Sequence, residues 1–87
     1  MSSSCNFNTK SAAFENAIRC GRRFDNSVLL QAYAYYKQAT VGDNKTSAPS
    51  MFDLKGKAKY DAWCQLKGTS KSQAELQYMN LVTKLGL

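Results

Sequence analysis

The chain has 87 residues, 44% of them hydrophobic and 21% charged, the proportions of one globular domain rather than a disordered segment. Twelve Lys and Arg against six Asp and Glu give a net charge of +6, and His is absent, which removes the commonest metal ligand and the usual general base at neutral pH. No apolar run approaches the roughly 20 residues of a membrane-spanning helix, so the partner expected is an anion: nucleic acid, a phospholipid headgroup or a phosphorylated small molecule.

Residues 1–10 are polar, rich in Ser and Asn, and read as a flexible lead-in, with residues 11–87 forming the domain. They carry no basic-then-apolar leader, so the cytoplasm is the expected compartment. Ser11 is expected to cap a first helix on which Phe14, Ala17, Ile18 and Phe24 recur at helical spacing, with Gly21 as an interruption. Arg19, Arg22 and Arg23 crowd its last turns, where cations complement the helix dipole. Asp25-Asn-Ser27 caps the second helix, Val28 to Val41 contains no breaker, and Gly42 ends it. Residues 43–51 (DNKTSAPSM) are turn chemistry without a hydrophobic period, hence a loop. Leu54, Ala58, Ala62 and Leu66 step by four through a third helix that should stop at Gly68. Ser70-Lys-Ser-Gln73 is a capping box opening a fourth, whose Ala74, Tyr78, Leu81, Val82 and Leu85 make the cleanest amphipathic stripe in the chain. With no alternating strand pattern, four helices make a bundle.

Three Cys, at positions 5, 20 and 64, are odd in number and form no CxxC pair, which favours free thiols over a disulfide framework or a metal site. None has a His partner, so no nucleophile–base pair supports an enzyme. On the second helix Leu29, Tyr33, Tyr36, Lys37 and Thr40 share one side. Packing of the tyrosines in the core, under the Lys37 stem, is the simpler account of that face. The same residues also form a cluster of phenol and ammonium donors over an aromatic floor, suited to a phosphate and a planar base. Lys55 and Lys59, four apart, repel by a few tenths of a kcal/mol unless solvent or a bound anion relieves them. No P-loop, zinc-finger or RNP pattern accompanies these cations, which are spread over three helices.

The stretches YAYYKQATVGD (33–43) and FDLKGKAKYDAW (52–63), with LKGTSK (66–71) and Tyr78, resemble the acyl-CoA-binding protein family over essentially Ser11 to Leu85. The resemblance implies an all-α, up-down-down-up four-helix bundle and a non-enzymatic carrier, without cofactor or metal, holding one medium- to long-chain fatty acyl-CoA. It also implies that Tyr33, Tyr36 and Lys37 line the ligand site and that Lys55 and Lys59 reach the phosphates, Lys59 and Lys37 meeting the 3′-phosphate. Tyr78 would close the site near the nucleotide, and Arg22 falls near a basic contact at the end of the first helix. The chain departs from the family pattern in a short, Pro-free connection at 23–27, and in Tyr60, Cys64 and Ser50 where Trp, Asn and Gly are usual. A monomer with at most transient membrane contact and no nucleic-acid partner is expected. The competing expectation is a small basic helical module for nucleic acid or an anionic membrane surface.

Overall fold

Four of the periodic stretches fold as helices: α1 (Ser3–Arg19), α2 (Asn26–Thr40), α3 (Leu54–Cys64) and α4 (Lys71–Lys84). The structure, a computed structural model, describes residues 3–87, with side chains from Phe7 onward, so the thiol of Cys5 lies outside the described residues. Among the described residues there is no strand. The fold is the expected all-α bundle.

α1 starts at Ser3 rather than at Ser11, which corrects the lead-in: residues 3–10 are helical, while residues 1 and 2 lie outside the described part. The cause is Phe7, only 4% exposed, whose ring sits 5.7 Å from that of Tyr36 and 5.1 Å from that of Tyr78. Its polar neighbours Asn6, Asn8 and Thr9 hide this single anchor in the sequence. Phe14, seven residues on, continues the same face. The other end also differs. The Gly21 amide bonds Ile18 O at 3.1 Å and the Arg22 amide bonds Ala17 O at 3.0 Å, a Schellman stop with Gly21 at φ +95°. Phe24 is therefore outside the helix, folded back so that its ring lies 5.1 Å from that of Phe14.

α2 ends where expected, with the Gly42 amide on Lys37 O at 3.2 Å. α3 opens at Asp53, whose carboxylate accepts from the Gly56 amide at 2.9 Å. It stops earlier than the apolar spacing suggests. Beyond Cys64 the Leu66 amide turns to Trp63 O at 3.0 Å, three residues back, and the tightened chain reaches Gly68 as a turn. Ser70 Oγ caps α4 by accepting from the Gln73 amide at 3.1 Å.

The contacts fix the directions. Lys59 lies over Tyr33 and Lys37 over Trp63, so α2 and α3 run parallel. Gln38, near the end of α2, donates to Thr69 O just before α4, so those two are antiparallel. Arg22 donates to Leu85 O at 2.8 Å, which brings the C-terminal ends of α1 and α4 together. The result is up-down-down-up. The core of Phe7, Phe14, Ala32, Ala39, Ala74, Tyr78 and Val82 belongs to α1, α2 and α4. Among the described residues α3 packs on α2 and on no other helix, anchored by Trp63, which is buried and donates Nε1–H to Gly42 O at 2.8 Å.

Gln38 ties the connections together. Fully buried, it donates from Nε2 to Asp43 Oδ1 and to Thr69 O, each at 2.8 Å. Asp43 Oδ1 also accepts from the Gly68 amide at 2.9 Å. That amide, and then Gln38, hold the Asp43 carboxyl below its ordinary value by hydrogen bonding to the charged form.

Candidate functional site

Leu29, Tyr33 and Tyr36, at i, i+4 and i+7 on α2, open onto a cleft of about 450 Å³. Phe14 and Ile18 of α1, Tyr78 of α4 and Lys59 of α3 complete its walls. A second cleft of about 480 Å³ lies between α2 and α3, lined by Leu29, Leu30, Leu54, Lys55, Ala58 and Lys59. Leu29 and Lys59 border both, so an aromatic, hydroxyl-bearing chamber adjoins a mainly aliphatic one.

Two ammonium groups lie over the Tyr33 ring, that of Lys59, which borders both clefts, and that of Lys37, which adjoins the aromatic one. Lys59 Nζ stands 5.3 Å from the Tyr33 ring centroid and Lys37 Nζ 5.8 Å from the same ring, while Lys37 Nζ is also 5.7 Å from the centroid of Trp63. Lys37 reaches the ring from four residues along α2, and the packing of α3 on α2 brings Lys59 to it. Aromatic faces accept these cations without neutralising them, so their charge remains available to an anion. Tyr36 is 39% exposed and stacks on Phe7, whereas Tyr78 is 3% exposed and belongs to the core wall. Burial raises the Tyr78 phenol above its ordinary value, opposed by a hydrogen bond with Ser11, so it stays a neutral donor.

Of the residues singled out in the sequence, Tyr33, Tyr36, Lys59 and Tyr78 share the aromatic cleft, and Lys37 adjoins it over Tyr33. Lys55 lines the aliphatic cleft instead. Arg22 lines neither: its guanidinium bonds Leu85 O and lies 5.0 Å from the Phe24 ring centroid. The sequence reading missed the α1 contribution of Ser11, Phe14, Glu15 and Ile18. Their 0, 3, 4, 7 spacing was a usable signal, obscured by taking Ser11 as a cap rather than a mid-helix residue. On α3, Tyr60 pairs with Cys64, and that hydrogen bond pushes its phenol up; Cys64 Sγ also accepts from Asn44 Nδ2 at 3.4 Å. Neither Tyr60 nor Cys64 lines either of the two clefts.

A small helical bundle with cationic and aromatic groups at the mouth of an apolar groove is the build of a lipid-ligand binding module. The family model described as "Acyl CoA binding protein" matches residues 6–82. The chain is 55% identical over 60 residues to acyl-CoA-binding protein homolog 1 of Caenorhabditis elegans, covering 69% of this chain and 70% of that one. It is 45% identical over 74 residues to the acyl-CoA-binding protein homolog of Drosophila melanogaster, covering 85% and 86%. Among solved structures, acyl-CoA-binding protein 2 of Oryza sativa superposes with a TM-score of 0.84 at 34% identity, covering 97% of this chain and 90% of that one. The chain belongs to the acyl-CoA-binding protein family.

Proposed function

We propose that this protein is a non-catalytic, cytoplasmic carrier that binds one medium- to long-chain fatty acyl-CoA per monomer. The observation that carries the proposal is the meeting of Lys37 and Lys59 over Tyr33 at the junction of an aromatic and an aliphatic cleft. Such a junction suits a ligand with an anionic, aromatic head and an apolar tail. In this reading Lys37 and Lys59 hold the 3′-phosphate and Tyr33 underlies the adenine. Tyr36 and Tyr78 contribute hydroxyls, Lys55 reaches toward the remaining phosphates, and Leu29, Leu30, Leu54 and Ala58 receive the chain. Arg22, which bonds Leu85 O and lines neither cleft, is left out of this reading. The +6 net charge attracts a ligand carrying about four negative charges.

The test is a calorimetric titration, at physiological salt, with palmitoyl-CoA, free coenzyme A and a duplex oligonucleotide. One-to-one binding of palmitoyl-CoA, far tighter than that of coenzyme A, with no heat from the oligonucleotide, is expected. Comparable affinity for the oligonucleotide would replace this reading with a nucleic-acid-binding one.

A further inference from the structure

The loop that leads into α3 ends in three large apolar side chains that the fold leaves uncovered: Met51 is 78% exposed, Phe52 92% and Leu54 76%. Isolated exposed hydrophobes are ordinary on a protein surface, but three within four residues at the tip of a loop form a patch. No neighbouring element repacks them. α3 reaches only α2, and Asp53, the polar residue among them, is turned to the Gly56 amide as the helix cap. The flanks are cationic: Lys45 lies on the same loop, and Lys55, Lys57 and Lys59 follow on the first turns of α3, all four exposed. Among the described residues, no helix is long and apolar enough to cross a membrane, so contact with a bilayer would be peripheral. An apolar tip with exposed lysines on both sides along the chain has the chemistry of a segment that inserts shallowly between anionic headgroups.

We propose that Met51 and Phe52 form a docking tip by which the protein binds reversibly to the surface of an anionic phospholipid bilayer. Leu54 joins the tip to the aliphatic cleft, which it lines with Leu29 and Leu30, so docking sets the mouth of that cleft against the lipid. Collection of a ligand from the bilayer through that mouth rests on the carrier reading above; the docking does not. The occupant is a lipid surface rather than another protein because the patch is small and is flanked along the chain by four exposed lysines, with Asp53 the one carboxylate among them and taken up as the helix cap. A protein groove would have to supply a matching acidic rim, whereas an anionic bilayer presents one everywhere.

The experiment is cosedimentation of the full chain with vesicles of phosphatidylcholine alone and of phosphatidylcholine mixed with phosphatidylserine. Wild type should partition onto the mixed vesicles, weakly onto the neutral ones, and less onto both-lipid vesicles as salt rises. The double substitution Met51→Ser, Phe52→Ser should lower partitioning roughly tenfold or more, since two large side chains no longer enter the interface. Neither residue lines a cleft, so the affinity of the variant for palmitoyl-CoA in vesicle-free buffer should equal that of wild type. Equal partitioning of variant and wild type, or none by wild type, overturns the proposal. So does dimerisation at rising protein concentration that the double substitution abolishes without any vesicle binding. Loss of palmitoyl-CoA binding by wild type would count against the carrier reading and leave the vesicle result to stand alone.

Discussion

Lys37 is held by aromatic faces on two sides, Tyr33 and Trp63, and each contact of this kind is worth about 0.5–1 kcal/mol when partly exposed. Its larger role in the proposed function belongs to the ligand. Lys37→Ala should weaken palmitoyl-CoA binding by about 1.5–3 kcal/mol, because a hydrogen bond to a charged group is lost, while the melting temperature shifts only slightly. A large fall in melting temperature with intact affinity would make Lys37 a structural stem and misplace the site. Asp43 is the reverse case, a group whose work is structural. Its carboxyl titrates lower in the folded chain than in the unfolded one, where about 3.9 applies. Its contribution is therefore complete above about pH 4 and is lost as the pH falls through the folded value. In Asp43→Asn the decline of stability below about pH 4 should be shallower than in wild type, as measured by urea unfolding at a series of pH values.

The helices show how far the sequence could be read. The stops at Gly42 and the cap at Ser70 were legible because each is a local signal read within one turn. The stripe on α4 was legible as well, with Ala74, Tyr78 and Val82 all buried. The start of α1 was not, since one aromatic ring among polar residues has no period, and only its partners on α2 and α4 decide that Phe7 is inside. Nor was the inner face of α3. Four-residue spacing pointed to Leu54, Ala58, Ala62 and Leu66, yet Trp63 is the residue it buries, because a helix with a single neighbour needs only one anchor. Tyr33, Tyr36, Lys37 and the pair Lys55 and Lys59 stood out by type and spacing, whereas a site role for Tyr78 came only with the family resemblance. The division of these residues between two clefts depends on how α3 packs on α2. The cap of α3 makes a prediction of its own. A Cβ on Gly56 would run into the Asp53 carboxylate, so Gly56→Ala has two opposed effects. It gains up to about 1 kcal/mol of helix propensity and loses a cap worth about 0.5–2 kcal/mol. Gly56→Ala should be neutral to destabilising in wild type and stabilising in an Asp53→Ala background, as read by a double-mutant cycle in urea. Stabilisation of equal size in both backgrounds would mean the cap contributes nothing.

At the scale of the whole molecule, the proposed function makes the two clefts linked halves, one for a charged head and one for an apolar tail. Free coenzyme A and free fatty acid should each bind weakly, and the joined molecule far more tightly. Across a series from acetyl- to stearoyl-CoA, affinity should rise by about 0.8 kcal/mol for each methylene buried and then level off. The plateau follows from size: a cleft of about 480 Å³ in a bundle only 16 Å through its shortest dimension cannot enclose an indefinitely long chain. A flat series would mean that the nucleotide alone is recognised.

Because α3 leans on α2 alone while α1, α2 and α4 share the core, the molecule has a firm body and one loosely held limb. Opening that limb costs the burial of Trp63 and its bond to Gly42 but leaves the aromatic core intact. Amide hydrogens of α3 should therefore exchange with deuterium before those of the other helices, through local rather than global unfolding. In the proposed function a ligand is gripped by Lys37 of α2 and Lys59 of α3 and so spans that seam. Adding palmitoyl-CoA should slow exchange in α3 more than in α1, which makes occupancy readable as a change in rhythm along the backbone.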